Sequence, residues 1–265
     1  MLAWPRLQFV GARISFPREV PARRVALCEA RRMSILVALV HSPLVGPSTW
    51  DAMAEAIRER DYLLERDYAV LVPDLTASLA EGPPFWPRQI DAIRDCAAAE
   101  PVILVGHSGA GALLAAASGA IDRVRGYLFV DAGLPHPGQS WMDTAPPELV
   151  RQIRAMATDG WLPPWSEWWG TDGLVELLPD PVVRERFVAG CPRLPVAMFE
   201  EHQPLTPGWP DAPCAYLRLS QAYREPAEQA KALGWPVTEL ELHHLAVLTS
   251  PELVLDPLLE LMQEL

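Results

Sequence analysis

Along the chain, short runs that are apolar at every position alternate with stretches whose apolar residues recur every three or four positions. Four such runs come early: residues 34–40 (S-I-L-V-A-L-V), 68–72 (Y-A-V-L-V), 101–105 (P-V-I-L-V) and 126–130 (G-Y-L-F-V). Unbroken apolarity over five to seven residues suits a strand buried on both faces, since its side chains point alternately to two covered surfaces. Helical segments lie between them. One opens near Trp50, behind Pro47-Ser48-Thr49, whose hydroxyls are expected to cap it. Another runs from about residue 86 to 99, and a third is the small-residue stretch A-L-L-A-A-A-S-G-A. The pattern resumes at residues 214–219 (C-A-Y-L-R-L). It continues through a helix at about 227–233, a last strand at 237–242 and a closing helix from about Pro251. Strand and helix in alternation predict an α/β fold, a mostly parallel sheet flanked by helices.

Between residues 134 and 212 the alternation stops. This span offers helical patches (E-L-V-R-Q-I-R-A-M-A and P-V-V-R-E-R-F-V-A-G), many prolines and no convincing strand. It also holds six of the ten tryptophans: Trp141, Trp161, Trp165, Trp168, Trp169 and Trp209. It is expected to be a helical, Trp-rich cap over a pocket, with some of the tryptophans building the cap's own small core. The predicted organisation is an α/β core from residues 33–133 and 213–265, a cap or lid from 134–212, and 1–32 as an N-terminal extension or edge strands.

Composition narrows the function classes. The 265 residues carry Lys+Arg 22 against Asp+Glu 34, a formal charge of −12. Residues 1–32 hold seven Arg against two Glu, a local +5, which leaves the remainder at −17. A phosphate-tracking protein needs a positive face, so nucleic acid is not an expected partner. Cys28, Cys96, Cys191 and Cys214 form no C-x-x-C pair and read as ordinary reduced thiols. Residues 1–32 contain no apolar core of a secretory signal, and no apolar run reaches the length of a membrane span. A soluble, cytoplasmic protein without a membrane partner is expected; its oligomeric state is left open.

One turn carries the strongest chemical signal. The run 101–105 leads directly into Gly106-His107-Ser108-Gly109-Ala110, and a small-residue helix follows. A serine held on a sharp strand-to-helix turn needs small residues two positions to either side, because anything larger strikes the neighbouring strand or helix. Gly106 and Ala110 meet that need, with alanine where glycine is more usual. Ser108 is therefore the expected nucleophile. A phosphate loop is not indicated, since no Gly-Lys-Ser/Thr follows. No His, Asp and Cys cluster has metal-ligand spacing, so neither a metal nor a cofactor is implied.

With this elbow go the His41 turn after an apolar strand, Trp50 nine residues on, the Pro73-Asp74-Leu75 strand end and a late histidine before the last helix. On these features the chain resembles the α/β-hydrolase superfamily over about residues 34–265, in particular its small esterase-like members. The resemblance implies a base in the loop after the last strand, where it points to His244 rather than His243, with His243 expected at the surface. It implies a triad acid in one of two places. The loop of residues 220–225 offers only Glu225; the end of the preceding strand offers Asp131, the preferred reading. That acid would hold the imidazole in the right tautomer and stabilise its charged form. One oxyanion donor is expected from the backbone N–H of Gly109. The other falls at Pro43, which has no N–H, so Leu44 or the Ser42 hydroxyl must replace it. His41 is expected to be structural and His107 to pack near the pocket, while His136 and His202 have no assigned role. The implied function is a serine hydrolase cleaving a small, apolar carboxylic ester through a Ser108 acyl-enzyme. The alternatives are a hydrolase-fold lyase or C–C hydrolase, or a binding protein of the same fold with weakened catalysis.

Overall fold

The computed structural model describes residues 35–64, 68–97, 101–168 and 170–265. The N-terminal extension or edge strands read at 1–32, Cys28 and Trp169 lie outside them. The described strands, in chain order, are β1 (Ile35–Val40), β2 (Tyr68–Leu71), β3 (Val102–His107), β4 (Val124–Val130), β5 (Trp161–Leu162), β6 (Leu194–Pro195), β7 (Cys214–Arg218) and β8 (Val237–Glu239). Six of them form one sheet in the order β2-β1-β3-β4-β7-β8, parallel at every pairing. The continuous apolar runs of β1, β3 and β4 are explained by burial on two sides, whereas β2, at the edge of the sheet, is buried only at Val70. Val37, Leu39, Ile103 and Val105 face one core, while Leu36, Ala38, Val40, Val102 and Leu104 face the other.

Helices cover both faces. The first core takes Met53, Ala54 and Ile57 from α1 (Asp51–Leu64); the second takes Ile93 and Ala97 from α2 (Trp86–Ala97) and Leu113, Leu114 and Ala117 from α3 (Gly111–Ser118). The expected hydroxyl cap of the first helix is not formed. Pro47–Trp50 makes a 3-10 turn ahead of α1, and Thr49 Oγ1 donates to the Gly46 carbonyl instead of accepting from a helix N–H.

Between β4 and β7 lie α4 (Trp141–Thr144), α5 (Pro147–Met156), α6 (Gly170–Leu177), α7 (Pro181–Gly190) and α8 (Val196–Glu200). Two of these begin at side-chain caps: Ser140 and Asp143 form a reciprocal box at α4, and Asp180 accepts from Val182 and Val183 at α7. The span is not free of strand, since β5 and β6 pair antiparallel within it. Two residues per strand are too few to leave a period in the sequence. The tryptophans divide by task. Trp165 meets Phe187 edge-on inside the insertion, whereas Trp209 packs against Tyr127 of the sheet.

After β7 come α9 (Arg224–Ala232), α10 (Ala246–Thr249) and α11 (Pro251–Gln263); α9 joins the face of α2 and α3, and α11 that of α1. Among the described residues no helix is long and apolar enough to cross a membrane, and Cys96, Cys191 and Cys214 are free thiols. β1 and β3 are sheet neighbours although β2 lies between them in sequence. A crevice therefore opens at the carboxyl ends of these strands, where open α/β sheets bind their ligands.

Candidate active site

Ser108 sits at that crevice, immediately after β3. Its φ of +59° lies in the left-handed region, where a non-glycine residue is strained by about 1–3 kcal/mol and must be held by its surroundings. Two bonds to the loop after β4 do this. The Ser108 N–H donates to the Asp131 carbonyl, and the Gly133 N–H donates to the Ser108 carbonyl, both at 3.2 Å. The turn continues as a 3-10 turn, Ser108–Ala110, into α3. Close approach forces a glycine here, because a Cβ on Gly111 would lie 1.9 Å from the Gly133 carbonyl oxygen. Ala110 is fully buried against the second core.

Asp131 directly follows β4 and is fully buried. Its Oδ1 accepts the N–H groups of Leu219 and Ser220 at 2.8 and 2.9 Å; its Oδ2 accepts the Ser220 hydroxyl at 2.6 Å and lies 2.8 Å from His244 Nδ1. Burial by itself would raise this carboxyl. The hydrogen bond and charge of His244, together with the Ser220 bonds, outweigh burial and hold it below the ordinary carboxylate range. Glu225 is elsewhere: it is exposed on α9 and accepts from Gln229 at 3.4 Å. Of the two carboxylates, Asp131 is the one that meets His244.

The His244 ring is held between two others, His107 at 4.5 Å and Tyr223 at 4.8 Å between centroids. His107 Nε2–H donates to the His244 carbonyl at 2.9 Å. Burial and the neighbouring His244 push the His107 pKa down to about 3, so it stays neutral. His243 is not the surface residue expected: it is partly buried and bonded to Thr249 at 2.9 Å, pulled in by the turn of α10. His41 is buried, donating from Nδ1 to the Ser42 carbonyl and accepting the Leu75 N–H at Nε2. His136 lies on the cavity wall, and His202 pairs with Asp143 at the surface.

Sequence reasoning passed over Tyr223. Its hydroxyl lies 3.2 Å from Ser108 Oγ, and this is the side-chain hydrogen bond that Ser108 makes among the described residues; none joins Ser108 to His244. Burial raises the phenol to about 12, so it remains protonated. A tyrosine in the loop where a carboxylate was sought was the available signal.

The oxyanion side differs from expectation at Leu44. Its N–H is already engaged, donating to Ser42 Oγ at 3.2 Å. Ser42 Oγ accepts there and retains its own proton to give. It also stands against the turn after the serine, since a Cβ on Gly109 would lie 2.8 Å from it.

These groups open on a cavity of about 310 Å³. Ser42, Ser108, Gly109 and Tyr223 line one part of it, and Leu134, Trp141, Met198 and Phe199 of the insertion form much of its apolar wall. Among the described tryptophans, Trp141 and Trp86 line it; the others expected there build the packing of the insertion or of the sheet.

The sequence pattern of the alpha/beta hydrolase family matches residues 37–256. A search of curated proteins finds no match. Solved structures with the same fold include an extracellular alpha/beta-hydrolase from a Paenibacillus species, described as sharing structural and functional homology with tobacco salicylic acid binding protein 2. It is 19% identical, with 85% of this chain and 98% of that one covered and a TM-score of 0.68. A pyrethroid hydrolase from Sphingobium faniae is 20% identical over 86% of this chain and 97% of its own, at 0.61. Tomato methylketone synthase I, complexed with 2-tridecanone, is 15% identical over 87% and 98%, at 0.63.

Proposed function

The chain belongs to the alpha/beta hydrolase family, and on that premise we propose that it is a serine hydrolase of small, apolar carboxylic esters. The observation that carries this reading is the 2.8 Å contact of His244 Nδ1 with the buried Asp131 carboxylate, beside a serine on a strained turn at an apolar cavity. With Nδ1–H given to Asp131, His244 Nε2 is the bare nitrogen and can take a proton. Ser108 Oγ turns from Tyr223 to His244, loses its proton to Nε2 and bonds to the ester carbon. The tetrahedral oxyanion is met by the Gly109 N–H and the Ser42 O–H. The alcohol leaves with the proton from His244, and water repeats the sequence on the acyl-enzyme.

The test is a series of p-nitrophenyl esters of increasing acyl length. A burst of one p-nitrophenol per chain supports the acyl-enzyme, and turnover with no Ser108 adduct at any stage refutes it. A second reading, a lyase or C–C hydrolase using the same groups as acid and base, is favoured by the neutral Tyr223 phenol on Ser108. An acyl adduct counts against that reading.

Two smaller effects follow from the geometry. Ser42→Ala is expected to lower kcat about 10²–10³-fold, the usual loss for one oxyanion donor; steady-state kinetics within a few-fold of native would remove Ser42 from this role. Tyr223→Phe frees Ser108 from a competing hydrogen bond of about 0.5–1.5 kcal/mol, so kcat/KM should rise by no more than about tenfold. A hundredfold loss would instead put the phenol on the reacting atoms.

A further inference from the structure

Two glutamine side chains are buried against the cavity, and they are not alike. Gln203, 4% exposed, is used at both ends: its Oε1 accepts the His136 N–H at 2.8 Å and its Nε2 donates to the Ala112 carbonyl at 3.0 Å. It ties the insertion to α3 and has little left to offer a ligand. Gln89, on α2, is 3% exposed. The hydrogen bond its carboxamide makes among the described residues runs from Nε2 to the Met198 sulfur, at 3.9 Å. A thioether accepts weakly and cannot donate. With the nitrogen turned to Met198, Oε1 is left for the cavity that Gln89 lines. Around it the wall is apolar, from Phe85, Trp86, Leu113 and Phe199. No donor reaches Oε1 among the described residues, and a cavity whose polar group is completed only by a ligand discriminates for that ligand.

We propose that Gln89 determines specificity in this cavity by accepting, at Oε1, a hydrogen bond from a hydroxyl or N–H on the apolar part of the substrate, away from the ester. The inference rests on the ester-hydrolase reading for what happens at Ser108, but the recognition itself is a property of the cavity. The class of substrate is then an ester whose apolar part bears one hydrogen-bond donor.

The experiment compares methyl phenylacetate with its ortho-, meta- and para-hydroxy isomers. Turnover is measured with the native chain, and binding by tryptophan fluorescence with Ser108→Ala, since Trp86 and Trp141 line the cavity. At least one hydroxylated isomer should bind about tenfold to a hundredfold more tightly than the parent. In the Ser108→Ala background, Gln89→Met should bring that ratio to about one, whereas Gln89→Glu, which keeps an acceptor oxygen at the same place, should retain the preference. Equal binding of all four compounds by Ser108→Ala overturns the inference, as does a preference that survives in Gln89→Met. Absence of turnover by the native chain, with a Gln89-dependent preference intact in binding, removes the hydrolase reading and leaves the inference standing.

Discussion

Ser108→Ala is expected to lower ester turnover by roughly 10⁴–10⁶-fold, the range seen when a serine nucleophile acting together with a histidine is removed. The loss should be confined to chemistry. Alanine meets the same left-handed backbone that serine does at this position, and the N–H and C=O bonds to Asp131 and Gly133 that hold the turn are made by the main chain. One hydroxyl bond, to Tyr223, disappears. Thermal stability should therefore change by about 1 kcal/mol or less. An apolar inhibitor should still bind and still perturb the fluorescence of Trp86 and Trp141. A Ser108→Ala protein with substantial activity would sink the acyl-enzyme mechanism.

Asp131→Asn should cost about 10³–10⁴-fold in rate with the fold retained. The amide oxygen can replace Oδ1 and keep the Leu219 and Ser220 N–H bonds. The amide nitrogen then replaces Oδ2 and donates to His244 Nδ1. That forces the histidine proton onto Nε2, where the serine proton has to go, and no carboxylate is left to stabilise the imidazolium. The same substitution should alter acid stability. The Asp131 carboxyl is held below its ordinary value in the fold. Its contribution is therefore fully present above the unfolded value of about 3.9 and is lost as pH falls through the lower folded value. The native melting temperature should drop steeply below about pH 4, and Asp131→Asn should show a flatter acid limb there. Identical acid limbs in melting curves taken from about pH 3 to about pH 7 would show that Asp131 is not the group responsible. Glu225→Gln, at an exposed carboxylate on α9, should leave both activity and acid limb as they are.

The fold was legible where burial was two-sided. Runs 34–40, 101–105 and 126–130 lie within a residue or two of β1, β3 and β4, because a strand covered on both faces admits few polar residues. The same rule set its own limit at β8, which ends at Glu239 rather than continuing to residue 242. Glu239 and Glu241 turn instead to the Arg218 guanidinium, an interaction with β7 that periodicity along β8 cannot register. Likewise β5 and β6 exist by pairing with each other, and either taken alone is indistinguishable from loop.

For the site, the dividing line is distance along the chain. By itself the sequence determined the turn at Ser108, since its requirements are local: an apolar strand before it, small residues two positions to either side, a helix after it. Through its resemblance to the α/β-hydrolase superfamily it also pointed to His244 over His243 and to Asp131 over Glu225. Only the tertiary structure decided which of these meet. Asp131 and His244 are brought together because β4, β7 and β8 are successive neighbours in a parallel sheet, so the loop after β8 reaches across the end of β7 to the loop after β4. Nothing in either loop encodes that convergence. The engagement of Leu44 with Ser42, the phenol of Tyr223 on Ser108 and the half-satisfied amide of Gln89 are of the same kind. Each is a contact of side chains set by packing in three dimensions, where hydrogen-bond partners are fixed by ångström distances and not by spacing in the sequence.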